Sequence, residues 1–222
     1  MRKDSALLIR PAYSLNIYKV YGKLPKYREI RPPLGLMYIA SYLETHRCQV
    51  NIIDAEVELL SNDRLLSEIL RIAPAYVGIT STTPESPKVE ELFTMIKKSA
   101  PGIITIAGGP HFSAVPVTEN GAYDAIDYIV VGEGEKALLK IIKERPKEKV
   151  IELENTEALD ELPFPARRLV NYEHYRFPVP GKGLLRMDTA LTSRGCPFQC
   201  SFCFNRNTKV RFRNISNCLD EI

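Results

Sequence analysis

Three of the five cysteines, Cys196, Cys200 and Cys203, share one short stretch with the spacing C-x3-C-x2-C. Thiolate sulfur is a soft donor that suits Fe–S clusters, zinc or Cu(I). Three thiolates on one loop can hold three corners of a four-iron cube, and the fourth iron then has no protein ligand. An open metal position is typical of a site that does chemistry, whereas a closed one is typical of a structural site. The spacing therefore predicts a [4Fe–4S] cluster with one open iron.

A zinc site is the alternative interpretation of these residues, with Cys218 as the fourth ligand. Zinc sites favour two separated C-x2-C pairs, and this sequence contains one such pair. The iron–sulfur interpretation is therefore favoured, and Cys218 is predicted to be an ordinary buried cysteine of a helix.

The cysteine segment resembles the signature of the radical S-adenosylmethionine (SAM) superfamily, C-x3-C-x-aromatic-C, with Phe202 in the aromatic place. The resemblance implies that the three cysteines ligate the cluster and that the open iron chelates the amino and carboxylate groups of SAM. One electron from the cluster would cleave SAM to a 5′-deoxyadenosyl radical, so an electron donor such as flavodoxin or ferredoxin is expected. It also implies that the backbone near Phe202 lies against the adenine of SAM.

Composition narrows the classes of partner and compartment. The 222 residues suit one large or two small domains, with 45% hydrophobic and 26% charged residues. The net charge of +3 is spread along the chain, which argues against a nucleic-acid partner. No stretch approaches the roughly 18 apolar residues of a membrane span, and the N-terminus has no signal segment. Five cysteines without a secretion signal favour a reducing cytoplasm and metal use over disulfides.

Strand and helix signals alternate up to about residue 145. Five short apolar runs are predicted strands: 6–9, 50–53, 76–80, 103–107 and 127–131. Helices are predicted after Pro33, Ser61 and Ser86, around 113–120, and after Gly134. Alternating strands and helices imply right-handed βαβ units and a parallel sheet covered on both faces. The predicted fold is α/β, a flavodoxin-like (Rossmann-type) doubly wound sheet with strand order 2-1-3-4-5.

Small or polar residues follow three of the predicted strands, and ligands of such sheets bind beyond the carboxyl ends of strands. The residues are Thr80, Ser81, Thr82, Gly108, Gly109, Gly132, Glu133 and Gly134. Glycines let a bulky ligand approach the backbone, and hydroxyl groups can bond its polar edges. Turn chemistry is the alternative for the glycines, and helix-dipole pairing is the alternative for Glu133 and Glu135. Three such ends in one sheet favour a ligand site.

Most of residues 1–145 resembles the cobalamin-binding domains that precede radical SAM cores. The similarity runs through residues 32–36 (PPLGL), 77–80 (VGIT), 106–111 (IAGGPH) and 128–135 (YIVVGEGE). The resemblance implies that Thr80, Ser81 and Thr82 line the slot for the nucleotide tail of cobalamin. It also implies that Gly108, Gly109 and Pro110 flank that slot and that residues 132–135 close it.

One departure concerns the lower ligand of cobalt. Many cobalamin domains carry D-x-H-x-x-G after the first strand, and the histidine of that motif binds cobalt from below. The corresponding loop here, residues 11–31, contains no histidine. Cobalamin is therefore expected without a histidine lower ligand from this loop. His111 follows the double glycine, and a hydrogen-bonded structural role is favoured over a ligand-side donor role.

Three regions are predicted along the chain: a cobalamin-binding-like domain at 1–145, a proline-rich linker at 146–187, and the start of a radical SAM core at 188–222. Residues 188–193 are the expected first strand of a partial (β/α) barrel, with the cysteine loop at its carboxyl end. Few residues follow Cys203, so the barrel is expected to be incomplete and the chain alone inactive. No residue is identified as catalytic.

The main functional hypothesis is the N-terminal part of a cobalamin-dependent radical SAM enzyme. Such an enzyme would cleave SAM reductively and use cobalamin for methyl transfer or a radical rearrangement of a small-molecule or lipid-like substrate. One alternative is a non-catalytic cobalamin-binding or interaction module. The other is a radical SAM enzyme whose Rossmann domain binds no cofactor.

Overall fold

The structure is a computed structural model that describes residues 4–12, 30–115, 123–203 and 208–222. Most of the histidine-free loop and the end of the helix predicted at 113–120 lie outside these residues. The strands are β1 Ser5–Arg10, β2 Gln49–Asp54, β3 Tyr76–Thr80, β4 Ile104–Gly108, β5 Tyr128–Val131, β6 Val150–Glu152, β7 Arg176–Val179, β8 Gly183–Arg186, β9 Ser193–Cys196 and β10 Thr208–Phe212. The α-helices are α1 Leu34–Thr45, α2 Ala55–Glu58, α3 Asn62–Ile72, α4 Ser86–Ser99, α5 Pro110–Ala114, α6 Gly134–Glu144 and α7 Ile215–Glu221.

Six strands form one sheet in the order β2-β1-β3-β4-β5-β6, and every pair in it is parallel. The order confirms the predicted doubly wound, flavodoxin-like sheet for the first five strands. The sixth strand, Val150–Glu152, lies inside the segment predicted to be a linker. Its three residues carry one buried side chain, Ile151, so no periodic signal marks it in the sequence.

Both faces of the sheet are covered, as parallel sheets require. Leu8 of β1 packs with α1 and α6 on one face, in a cluster that includes Leu43 and Ile141. Leu7 and Ile9 point to the other face, where α3 and α4 contribute the side chains of a second cluster. Strand side chains alternate between the faces, so a continuous apolar strand such as β1 serves both cores.

The helices largely follow the predicted starts. Four apolar side chains of α1 are buried: Leu36, Met37, Ala40 and Leu43. Ser61 caps α3 by accepting a hydrogen bond from the Arg64 N–H. The helix predicted at 113–120 instead begins at Pro110 and ends at Ala114, because proline suits the first helical position directly after Gly109.

The C-terminal part of the chain contains two antiparallel hairpins, β7–β8 and β9–β10. The second, which consists of β9, the cysteine loop after it and β10, we call the cysteine hairpin; its described residues are 193–203 and 208–212. The predicted strand at 188–193 differs from the structure, in which residues 188–192 are not in a strand and β9 begins at Ser193. The partner of β9 is β10, so pairing occurs only where β10 lies alongside. Cys218 was predicted to be buried, but it is partly exposed in the short helix α7.

None of the helices in the described parts of the chain combines the length and apolar character needed to cross a bilayer.

Candidate functional site

The ends of β3 and β4 are joined by backbone hydrogen bonds. The Ser81 N–H donates to the Gly108 carbonyl, and the His111 N–H donates to the Ser81 carbonyl, both over 2.9 Å. The Ser81 side chain is buried, and its hydroxyl donates to the Thr82 carbonyl over 2.9 Å. The Ser81 hydroxyl is therefore already hydrogen-bonded within the protein, and Ser81 contributes to the packing below this edge.

Thr82 and Glu85 close the turn that follows β3. The Thr82 N–H and its hydroxyl both donate to Glu85 Oε2 over 2.7 Å. This pairing is a capping box at the start of the 3-10 helix Thr83–Glu85. Thr82 is exposed and Thr80 is half-buried. Of the three hydroxyl residues predicted to line the slot, these two are accessible at the edge.

Gly109 must be glycine for two reasons. Its φ is +91°, a left-handed conformation that side chains disfavour. A Cβ there would collide with Thr80 Oγ1 and lie 2.9 Å from the Ser81 nitrogen. The ends of β3 and β4 therefore meet backbone to backbone, with Gly108 and exposed Pro110 on either side. An edge with so little side-chain bulk leaves the backbone accessible, and cobalamin binding at these residues stays a prediction.

The third strand end combines a tight turn with close helix packing. Gly132 is exposed with φ +85°, and its N–H donates to Ser113 Oγ over 3.1 Å. Gly134 begins α6, and a Cβ there would lie 2.6 Å from the Ile39 Cδ1 of α1. Gly134 therefore lets α6 pack closely against Ile39, whose side chain would have to shift if residue 134 carried a Cβ.

Glu133 and Glu135 bind arginines of the cysteine hairpin. Arg211 Nη2 lies 2.6 Å from Glu133 Oε1, and Arg194 Nη2 lies 2.6 Å from Glu135 Oε1. Arg194 Nη1 also approaches Glu133 Oε1 at 3.3 Å. Both glutamate carboxylates are therefore bound by arginines of the hairpin, a partnership that was not considered from sequence. We call the four charged residues the docking cluster: Glu133, Glu135, Arg194 and Arg211.

The ion pairs of the docking cluster keep its side chains charged although these side chains are largely buried. Burial alone would raise the pKa of Glu133, but hydrogen bonds from Arg211 and the Thr156 N–H, with the nearby guanidinium charges, hold that pKa below its ordinary value. Burial opposes the charged form of Arg194, yet Glu135 and Glu133 raise its pKa above the ordinary value. Its guanidinium also lies 5.4 Å from the centre of the Tyr38 ring of α1.

Sequence reasoning missed both arginines. Arg194 and Arg211 are directly opposite each other in the β9–β10 pairing, so they present two charges from one hairpin. The nearest signal in the sequence is their position close to the cysteines. Arg211 and its partner Glu133 are 78 residues apart in the sequence, and no local pattern predicts a contact at that separation.

The cysteine loop begins where β9 ends. The Cys196 N–H donates to Thr208 Oγ1 over 2.9 Å, and the Cys203 N–H donates to the Cys200 carbonyl over 3.0 Å. Gly195 has φ +102°, and a Cβ there would collide with the Lys209 carbonyl oxygen. The strand can therefore approach β10 closely only because residue 195 has no side chain.

The three thiols predicted to ligate a cluster are all free, and none is fully buried. Phe202 is 92% exposed, so its ring packs on almost nothing in the described residues. Across those same residues, no three His, Cys, Asp or Glu side chains are grouped closely enough to hold a metal ion. The donor set itself, three uncommitted soft thiols on one loop, fits iron–sulfur ligation.

A second ion-pair group anchors α7 to the rest of the protein. The carboxylate of Glu221 is fully buried; its Oε1 binds Arg167 at 2.7 Å, and its Oε2 binds Arg213 and the Tyr38 hydroxyl. Burial, followed by the charge of Glu221, raises the pKa of Tyr38 to about 12. Residue 38 of α1 therefore contacts both the cysteine hairpin and the segment after it.

His111 has the structural role that was favoured from sequence. Its ring is buried, and Nδ1 lies 3.2 Å from Thr83 Oγ1. The ring also stacks edge-on against Phe112, with centroids 4.9 Å apart. Nε2 has no hydrogen-bond partner among the described groups.

Comparison with known proteins assigns the family. The B12 binding domain profile matches residues 25–142, more than half of the chain. The chain therefore belongs to the B12-binding domain family, and its predicted resemblance to cobalamin-binding domains is confirmed.

Relatives and a solved structure extend this comparison. The chain is 30% identical to an uncharacterized methyltransferase of Pyrococcus horikoshii, over 91% of this chain and 46% of that protein. It is 29% identical to the anaerobic magnesium-protoporphyrin IX monomethyl ester cyclase of Rubrivivax gelatinosus, over 97% of this chain and 41% of that protein. The chain thus spans less than half the length of these two relatives.

The fold is also that of a solved radical SAM methyltransferase, TsrM from Kitasatospora setae, determined with cobalamin and a [4Fe–4S] cluster bound. The alignment covers 98% of this chain and 45% of that chain, with a TM-score of 0.64 and 20% sequence identity. At this identity the similarity establishes the fold.

Proposed function

We propose that this chain is the N-terminal, cobalamin-binding part of a cobalamin-dependent radical SAM enzyme. The observation that carries the proposal is the attachment of the Cys196–Cys203 loop to the carboxyl edge of a B12-binding domain. That attachment runs through the docking cluster. A loop of three free thiols that is joined by ion pairs to the proposed cobalamin edge suits two cofactors that work together.

Cobalamin would be held at the carboxyl edge of β3, β4 and β5. Thr80 and Thr82 would offer hydroxyl groups, and the glycine turns would let the ligand approach the backbone. Ser81, Glu133 and Gly134 would act indirectly, because the first two are engaged within the protein and the third packs on α1. The proposed direct contacts are Thr80, Thr82, Gly108, Gly109, Pro110 and Gly132.

The cluster would be held by Cys196, Cys200 and Cys203, with the backbone near Phe202 facing SAM. When bound, the [4Fe–4S] cluster would supply the electron that cleaves SAM, and cobalamin would supply a methyl-transfer or radical-rearrangement chemistry. The chain's own contribution is to hold three thiols on a hairpin whose position is fixed by ion pairs.

Methyl transfer is the favoured reaction class, because the relatives include proteins named as methyltransferases. A cyclase among them keeps a radical rearrangement as the second class. The substrate would be a small-molecule or lipid-like compound, and the electron donor would be a small redox protein such as flavodoxin or ferredoxin. Free thiols on an exposed loop suit a reducing cytoplasm.

Anaerobic reconstitution with iron, sulfide and hydroxocobalamin tests the proposal, followed by desalting, metal analysis and a visible spectrum. We expect about four irons per chain and a retained corrinoid band. Cys200→Ala should lose iron and keep the corrinoid, whereas the matched control Cys218→Ala should keep both. Corrinoid without iron in the unmodified chain would instead indicate a cobalamin-binding module, and iron without corrinoid a radical SAM protein with a cofactor-free Rossmann domain.

A further inference from the structure

We infer that the docking cluster sets the distance between the two cofactors by fixing the cysteine hairpin against the cobalamin edge. Its residues are positioning residues, because each acts through the hairpin and not by touching a cofactor. The inference rests on the proposed function and adds a role for Glu133, Glu135, Arg194 and Arg211 that neither cofactor site requires by itself.

The docking cluster lies between the two proposed cofactor sites. Glu133 follows Gly132 at the end of β5, on the edge proposed for cobalamin. Arg194 precedes Cys196 by two residues in β9, and Arg211 lies opposite Arg194 in β10. The cluster therefore has one residue, Glu133, directly after a proposed cobalamin contact and another, Arg194, two residues before a proposed cluster ligand.

The docking cluster is also held at several points. Arg211 donates a hydrogen bond to Glu133, Arg194 donates one to Glu135, and Arg194 Nη1 also lies 3.3 Å from Glu133 Oε1. Arg211 Nη1 also donates to the Thr156 carbonyl over 2.5 Å, and the Thr156 N–H donates to Glu133 Oε2 over 3.0 Å. A planar guanidinium bound at several points fixes orientation as well as distance.

The docking cluster is largely buried, whereas another ion pair of the same hairpin is exposed. The side chains of Glu135 and Arg194 are 4% and 15% exposed, and that of Arg211 is 6% exposed. The other ion pair of β10, Lys209 with Glu157, has exposures of 72% and 67%. Exposed pairs contribute little, whereas removing one partner of a buried pair leaves an uncompensated charge. Glu157→Gln is therefore a matched control for Glu135→Gln.

The first measurement is hydrogen–deuterium exchange of the chain without cofactors. Glu135→Gln should raise exchange of the β9 and β10 amides by about tenfold or more, with β1 and β3 unchanged. Glu157→Gln should leave all four strands unchanged. If Glu135→Gln also unfolds the sheet, Arg194→Lys replaces it, because lysine keeps the charge and loses the fork geometry. Unaltered hairpin exchange in both cluster variants would contradict docking by these residues.

The second measurement is the magnetic coupling between a reduced cluster and cob(II)alamin in the reconstituted chain, read by electron paramagnetic resonance. Dipolar coupling falls with the cube of distance, so a released hairpin should weaken and broaden the distribution of the coupling. We expect this change in Glu135→Gln at full iron and corrinoid content, and none in Glu157→Gln. A double variant, Glu135→Gln with Arg194→Gln, should be no worse than either single one.

The outcomes separate this inference from the proposed function. A chain that takes up neither cofactor contradicts the proposed function, while the exchange experiment still reports on docking. A chain that takes up both cofactors, with the same coupling in Glu135→Gln as in the unmodified protein, overturns the inference and leaves the proposed function standing.

Discussion

The hydroxyl of Tyr175 donates a hydrogen bond to Asp54 Oδ2 over 2.8 Å, so the segment after the sheet is tied to the carboxyl end of β2. Asp54 also binds Arg10 at the end of β1, through Nε at 2.7 Å and Nη2 at 2.6 Å. One buried carboxylate thus joins two neighbouring strand ends and a residue far along the chain. The same principle recurs at Glu133, whose carboxylate binds Arg211 of a later segment, and at Glu221, whose carboxylate binds Arg167 and Arg213 of earlier ones.

Replacement of Asp54 by asparagine should destabilise the protein. The Asp54 side chain is 6% exposed, so its loss of charge leaves Arg10 without a buried partner. We expect the free energy of unfolding in urea to fall by about 2–3 kcal/mol. The control is Glu68→Gln, which breaks the exposed pair with Arg71 and should change the free energy by less than about 0.5 kcal/mol. Equal effects of the two changes would contradict the role of Asp54.

Gly109→Ala should destabilise the sheet domain, because it combines a left-handed φ with a collision against Thr80. We expect a loss of about 2–4 kcal/mol in the free energy of unfolding. Gly35→Ala is the matched control, since no atom lies within 4 Å of a Cβ at that helical position. It should leave stability unchanged or raise it by up to about 1 kcal/mol. A tolerated Gly109→Ala would show that the β3 and β4 ends are not closely packed.

Gly195→Ala should disturb the cysteine hairpin and spare the sheet. A Cβ at this position collides with the Lys209 carbonyl, so β9 and β10 must separate. In the reconstitution assay we expect iron content to fall at least about fivefold while corrinoid retention is unchanged. Gly181→Ala, also at positive φ but with no atom within 4 Å, should retain iron. Full iron loading of Gly195→Ala would indicate that hairpin pairing is not needed for the cluster.

Docking of the cysteine hairpin should depend on pH through Glu133. Its pKa in the folded protein is lowered from the ordinary value of 4.5. A lowered folded pKa contributes stability that is fully present above the unfolded pKa and lost as the pH falls through the folded value. The groups facing Glu133 are Arg194, Arg211 and the Thr156 N–H, and the arginines stay charged throughout.

Exchange of the β9 and β10 amides should therefore be constant from neutral pH down to about 4.5, after correction for intrinsic rates, and should rise below it. Glu133→Gln should remove this rise because glutamine does not titrate. Glu157→Gln should retain it, although Glu157 also pairs with the hairpin. A rise of the same size in Glu133→Gln would assign the pH dependence to another group.

Much of the fold was predictable because it depends on local patterns. Apolar runs such as 76–80 predict buried strands, and the side chains of α1 repeat at helical spacing. Their alternation predicts the parallel order of the first five strands, which the structure confirms. The strand β6 was not predictable, because a three-residue strand is defined by its neighbour β5 and not by its own composition.

The strand ends proposed to hold cobalamin were predictable in position, while the partners of their side chains were not. Thr80 and Gly109 lie at adjacent strand ends, as the α/β pattern predicted. Glu133, however, was assigned to the same edge because it follows β5, and the structure occupies its carboxylate with Arg211. Sequence position gives the end of the strand, while the partner of a side chain depends on which distant segment folds against it.

The sequence by itself determined which residues could do chemistry and which parallel sheet supports them. Cysteine spacing and strand periodicity are local properties, and local properties can be read along the chain. Only the tertiary structure decided that Arg194 and Arg211 of the cysteine hairpin dock on Glu133 and Glu135. Ion pairs between distant segments form where packing brings opposite charges together out of water, and that information is not contained in either segment alone.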